Sequence, residues 1–153
     1  MKNNIFKKSI GAAALLLIVH EDVWALPFSG DICYSAHITQ RETGPVNETF
    51  TFKLHVTPLD ATTCVAYALV SVSADNPAFG SGICRIGGGL IYLNLNETQA
   101  HKDGWRDTEI VQVKLNSATL NGAMYQIAHD FNTKTRTFDE GYASGTLTKI
   151  ACS

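Results

Sequence analysis

After its first 25 residues the chain has no apolar run long enough to cross a bilayer as a helix, which takes about 20 residues. A helical anchor in the body of the protein is therefore not expected. Blocks of like charge are also missing, which removes the usual footprint of a nucleic-acid binder or a polybasic membrane surface. No repeat, low-complexity tract or domain boundary is visible, so a single domain is expected. Catalytic motifs are lacking as well. Gly80-Ser81-Gly82 and Phe28-Ser29-Gly30 do not fit the Gly-x-Ser-x-Gly frame of a nucleophile elbow. Gly87-Gly88-Gly89 has neither the following lysine nor the strand-to-helix context of a phosphate loop, and reads as a turn or bulge. No cofactor and no enzymatic activity are expected. Glu109 with Asp139 or Glu140 would suit a hydrolase only at the right separation in space.

What the chain does have is four cysteines, Cys33, Cys64, Cys84 and Cys152, behind an export signal. Lys2, Lys7 and Lys8 give a basic start, Ile10 to Val19 an apolar stretch, and Val23-Trp24-Ala25 a site a signal peptidase would read. The expectation is a signal peptide over 1–25 and a secreted or periplasmic domain over 26–153, in a bacterial setting. Cleavage removes three of twelve basic and two of fourteen acidic side chains, leaving nine against twelve. Asn47-Glu48-Thr49 and Asn96-Glu97-Thr98 match the N-glycosylation pattern, but are incidental in that setting. An even cysteine count in an exported chain reads as disulfides, because that compartment keeps thiols oxidised.

From Ile32 onward the hydrophobic pattern has period two. Ile32, Tyr34, Ala36 and Ile38 alternate with Cys33, Ser35, His37 and Thr39. Phe50, Phe52, Leu54 and Val56 alternate with Thr51, Lys53, His55 and Thr57. Half-buried strands produce this because successive side chains leave opposite faces of a sheet. Eight strands are predicted, at about Asp31–Gln40, Thr49–Pro58, Cys64–Ser73, Gly80–Ile86, Leu90–Asn96, Thr108–Leu115, Leu120–His129 and Phe138–Ile150. Between them, Glu42 to Asn47 reads as a longer hairpin loop, Pro58-Leu59-Asp60 as a turn, and Ala74-Asp75-Asn76-Pro77 as a break. Thr98 to Asp107 is the longest connection, with room for a helical turn.

Eight sequential strands with short links suggest an all-β, antiparallel up-and-down barrel or a barrel-like sandwich. A hairpin about Asp75 sets Cys64 opposite Cys84, closing a loop of about 20 residues worth ~3 kcal/mol. In an even-stranded closed meander the first and last strands are antiparallel neighbours, which brings Cys33 to Cys152. Sequence alone permits three connectivities; Cys64–Cys84 with Cys33–Cys152 is the one that fits a barrel. The strand count and rhythm, and the closing Tyr125–Ile150 segment, resemble the calycin group of small barrels, such as lipocalins and avidins. The lipocalin Gly-x-Trp is absent, since Gly30 is followed by Asp31 and Ile32, and the avidin tryptophan set is absent too. The resemblance implies architecture only.

Two sets of polar residues stand out. His37 and His55 fall on the same outer face of the first hairpin, near each other if its apolar faces align, and would begin a metal site. A third or fourth ligand is not evident, so no metal is expected. His101, Trp105 and Arg106 crowd the long connection, where Trp105 is the one tryptophan left after cleavage and suits partner recognition. The leading expectation is a binding protein holding a small apolar ligand in the barrel, with room supplied by Ala36, Ala66, Ala68, Gly122, Ala123 and Gly145. The alternative is a protein partner met through the loops, as for an inhibitor or host-interaction factor.

Overall fold

A computed structural model describes residues 28–70, 78–101 and 103–153. The signal peptide expected over 1–25 and the break expected at Ala74 to Pro77 lie outside the described residues. The chain is a single meander of eight strands: β1 Gly30–Arg41, β2 Gly44–Pro58, β3 Thr63–Val70, β4 Ala78–Gly87, β5 Leu90–Ala100, β6 Trp105–Asn116, β7 Gly122–Asn132 and β8 Thr137–Ile150. Each pairs antiparallel with its neighbour in sequence, and β1 pairs with β8 to close the barrel. Closure leaves no sheet edge unpaired, so a wholly antiparallel chain needs no helix to cover it. The sandwich alternative is thereby excluded.

The period-two pattern sets which residues fill the interior. Ile32, Tyr34, Ala36, Leu54, Val56, Ile91, Leu93, Leu95, Val113, Leu115 and Leu147 are all buried, and their neighbours in sequence face out. The outer wall mixes polar residues with exposed Tyr67, Phe79, Ile83, Tyr92 and Tyr125. Among the described residues no helix is long and apolar enough to cross a membrane.

The two ends differ in how they are finished. At one end lie the start of β1, the end of β8 and the turns after β2, β4 and β6. Cys33 bonds Cys152 across the β1–β8 seam, with Cα atoms 5.2 Å apart. Cys64 bonds Cys84 within the β3–β4 ladder, Cα atoms 5.0 Å apart, and both are buried inside the barrel. Phe28, two residues before β1, is fully buried, and so is most of Leu120 in the β6–β7 turn. Leu120 takes a left-handed backbone, φ 59°, that a branched side chain rarely adopts. The Asn116 side chain holds that turn by accepting from the Ala118 and Thr119 amides, which lets Leu120 drop inward. The short turns at this end follow local chemistry. Gly88 and Gly89 (φ 60° and 76°) make the two-residue β4–β5 hairpin. The Asp60 carboxylate accepts from Thr62 and Thr63 in the β2–β3 turn, and this bonding lowers its pKa to about 2.

Two connections depart from the sequence reading. The first hairpin has a turn of only Glu42 and Thr43, because β2 begins at Gly44 and not at Thr49. The 98–107 stretch is not a long connection with a helical turn: β5 runs to Ala100 and β6 starts at Trp105. Both errors have one cause. At this second end of the barrel the inward positions are polar, so hydrophobic alternation stops while the strands continue.

Candidate functional site

The register shows how the polar end is built. In the β5–β6 ladder Leu95 faces Val111, Glu97 faces Glu109, and Gln99 faces Asp107. The two strands thus change from apolar to polar inward positions at the same height. β7 follows, with Gln126 against Val111 and Asp130 against Asp107. β1 reaches the same end through a shift in pairing between Ile38 and Gln40. Ile38 is buried and inward, and the bulge brings Arg41 to the register of inward-facing Ala143. Bulges re-aim side chains in this way. Without it Gln40 would hold the inward place.

These strands enclose a cavity of about 460 Å³. Its apolar wall is Phe50, Phe52, Leu95, Val111, Val113 and Met124, and its polar wall is Glu97, Glu109, Gln99, Gln126, Arg41 and Glu48. The volume falls within the roughly 300–1,000 Å³ of small-molecule sites. None of the six small residues expected to supply room is part of the lining. Gly122 and Gly145 instead let strands approach: a Cβ at either would lie about 2 Å from a carbonyl oxygen of the adjacent strand. Ala123 faces outward, because β7 turns Gly122 and Met124 inward.

Glu97 is the most unusual residue of the wall. It is 7% exposed, and its side chain lies across Gly80, where a Cβ would come within 2.4 Å of the Glu97 Cγ. Glycine at that position reserves the space the glutamate occupies. Directly opposed residues have Cβ atoms about 5 Å apart, so Glu97 and Glu109 are close enough to repel when both are ionised. Burial, and then the Glu109 charge, push Glu97 up to about 7. Glu109 is also pushed up to about 7, chiefly by burial and by Asp107 and Asp130, against a hydrogen bond with Gln126. Asp130 is raised by burial and by Asp107 and Asp139, and its Oδ1 is buried with no protein partner.

Cations are scarce here. Among the described residues Arg41 is the sole cation of the lining, and it is already paired. Its guanidinium donates to Glu48 through Nη2 at 2.6 Å and Nε at 3.2 Å. Deeper in the barrel, Tyr34 stacks on Phe52 at 5.4 Å, and its fully buried hydroxyl has no protein partner. A buried hydroxyl left unpaired costs free energy, so the interior carries polar groups that the protein itself does not satisfy. Burial raises the Tyr34 pKa, which keeps the phenol neutral. The chain matches no protein-family model and no curated protein. Any functional reading therefore rests on this geometry.

The sequence-predicted sites fare differently. His37 pairs in register with Thr49 and His55 with Asp31, six residues apart along the ladder, or about 20 Å. They are not neighbours and form no metal site. His37 bonds Asn47 at 2.8 Å, and His55 bonds Asp31 at 2.7 Å, beside Lys53. Among the described residues no group of three metal-ligating side chains exists. His101, Trp105 and Arg106 do sit together, at the cavity's end of the barrel, in the β5–β6 hairpin. His101 pairs with Asp107 at 2.5 Å. Arg106 donates to the His101 and Trp105 carbonyls, so it holds the turn. Trp105 is half-buried on β6 and does not hang in a polar loop. Of the hydrolase carboxylates, Glu109 faces the cavity, while Glu140 faces out and pairs with His129 at 3.4 Å.

The sequence reading passed over Glu97, Gln99, Gln126 and Arg41. A signal existed for two of them: the inward series Ile91, Leu93, Leu95 continues in phase to Glu97 and Gln99.

Proposed function

We propose that this is an exported binding protein that holds a small, largely apolar molecule inside the barrel. The observation that carries the reading is the cavity itself. One end of the barrel is filled by Phe28, Leu120 and the side chains around them, while the other keeps about 460 Å³ with an apolar wall and a few polar groups. Small binding sites have that composition, since apolar area supplies affinity and sparse polar groups fix orientation. The two disulfides suit an oxidising compartment outside the cytoplasm. Binding needs no proton transfer, metal or nucleophile, and the reading treats the carboxylates as recognition groups and not as catalysts.

Native mass spectrometry of the protein purified from its own host without reduction tests the reading. A co-purified molecule that leaves on denaturation supports it. So does uptake of added 1-octanol that Val111→Trp, filling the cavity, abolishes while thermal stability is kept. A bare protein that takes up neither 1-octanol nor n-octylamine overturns it.

A protein partner is the second reading, favoured by the outer wall of β6 to β8. There Ile110, Tyr125, Phe131, Phe138 and Tyr142 are exposed, with Phe131 on Phe138 at 5.9 Å and Tyr125 on Tyr142 at 6.2 Å. This surface lies on strands, so it replaces the 98–107 connection as the place to look.

A further inference from the structure

We infer that the ligand is a cationic amphiphile: an apolar body with an ammonium group, seated with its charge between Glu97 and Glu109. The inference rests on the cavity reading above and adds the chemistry of the ligand's head.

Three independent features of the cavity point the same way. Glu97 is more than nine-tenths buried, lines the cavity and has no cation or hydrogen-bond donor against it among the described residues. A buried carboxylate in that position must either keep its proton or receive a positive charge from elsewhere. The space it needs is also built in, because Gly80 leaves room for its side chain. An accidental carboxylate would not require a glycine on the neighbouring strand. On the β6 side of Glu97 the surroundings are acidic, whereas β4 on its other side contributes Gly80 and no acid. Glu109 and Asp107 face inward on β6, Asp130 on β7 and Asp139 on β8, with Glu42 and Glu48 at the first hairpin. Against them stand Arg41, bound to Glu48, and His101, bound to Asp107, with the exposed Lys134 and Arg136 in the β7–β8 turn at the same end. An anionic head would meet repulsion here, and a neutral one could donate a hydrogen bond but would leave the Glu97 charge unbalanced. An ammonium satisfies it, with Gln99 and Gln126 beside it on the same wall. The tail then lies along Phe50, Phe52, Leu95, Val113 and Met124.

The raised carboxyl pKa values add a direction. Both acids near 7 mean that the site gains charge as pH rises through neutrality, so a cation binds more tightly above that point and a neutral molecule does not.

Titration calorimetry of the oxidised protein with n-octylamine, 1-octanol and octanoate tests this. These probes share a tail and differ in the head. The expected result is binding of octylamine at least about tenfold tighter than 1-octanol at about pH 8, with octanoate weakest. That preference should shrink by about tenfold toward about pH 5.5, and in Glu97→Gln at about pH 8. Glu109→Gln serves as the second variant, and a cooperative thermal melt shows that each variant still folds. If octanol binds as well as octylamine, the cation inference fails and the cavity reading stands. If none of the three binds, both fail. Tighter octanoate binding would also overturn the inference.

Discussion

The two ends of the barrel are made from the same eight strands and finished in opposite ways. The disulfide end is closed by covalent bonds and by apolar side chains, including one, Leu120, held in an unfavourable backbone conformation to reach inward. The carboxylate end leaves a cavity and gathers groups that weaken the fold: opposed glutamates, an unpartnered Asp130 oxygen and an acidic surround. Strain and burial at the first end serve stability. At the second, stability is given up to hold chemistry that apolar packing would not supply, which is how binding sites commonly differ from the scaffold around them.

The largest effect should come from opening the disulfide end. Cys33–Cys152 closes a loop spanning 119 residues, and Cys64–Cys84 one spanning 20. In the chain-entropy model the paired replacement Cys33→Ser with Cys152→Ser costs ~5 kcal/mol, and Cys64→Ala with Cys84→Ala ~3 kcal/mol. Urea unfolding of each oxidised variant measures the costs, and equal losses would contradict the loop-length account.

Changes at the carboxylate end should act with the opposite sign. Glu97 and Glu109 titrate near 7 when folded, above the ordinary 4.5. The folded chain therefore binds more protons than the unfolded chain between those values, and stability falls as pH rises through that window. Asp130, also raised, adds to the fall. Asp31, Glu48 and Asp60 are lowered by their partners, so their contributions are lost only in more acidic solution. The melting temperature is expected to be higher at about pH 5 than at about pH 8. Glu97→Gln should flatten that slope and stabilise the protein at about pH 8 by on the order of 1–2 kcal/mol. A variant that loses amine binding while gaining stability would sharpen the contrast between the ends. A steeper slope in Glu97→Gln would break it.

The smallest effects belong to the outer wall. His37→Ala and His55→Ala remove exposed side chains that belong neither to the core nor to the cavity lining. Thermal melts should shift by no more than about 2 °C, and added zinc should leave them unchanged.

Much of the fold was legible from alternation and cysteine placement. Ile32 to Ile38 and Phe50 to Val56 fix two faces each, and a closed even-stranded meander is what brings Cys33 to Cys152. Legibility failed where the inward residues stop being apolar. Gln99 and Asp107 read as a polar connection, and Glu97 fell just past a predicted strand end, because a hydrophobic pattern cannot distinguish a loop from a strand that lines a polar chamber. The histidine pair failed for a different reason: aligned faces do not fix register, and register put His37 and His55 at opposite ends of their ladder.

The sequence by itself determined that the chain is all-β, which side chains of each strand's apolar part share a face, and which cysteines a closed barrel would pair. Those properties are local or follow from period and parity. Only the tertiary structure decided that Glu97 stands against Glu109, that a bulge turns Arg41 inward, and that residues from β1, β2, β4, β5, β6 and β7 line one cavity. Each depends on register between strands, which is set by the packing of the whole barrel and is not encoded in any one of them.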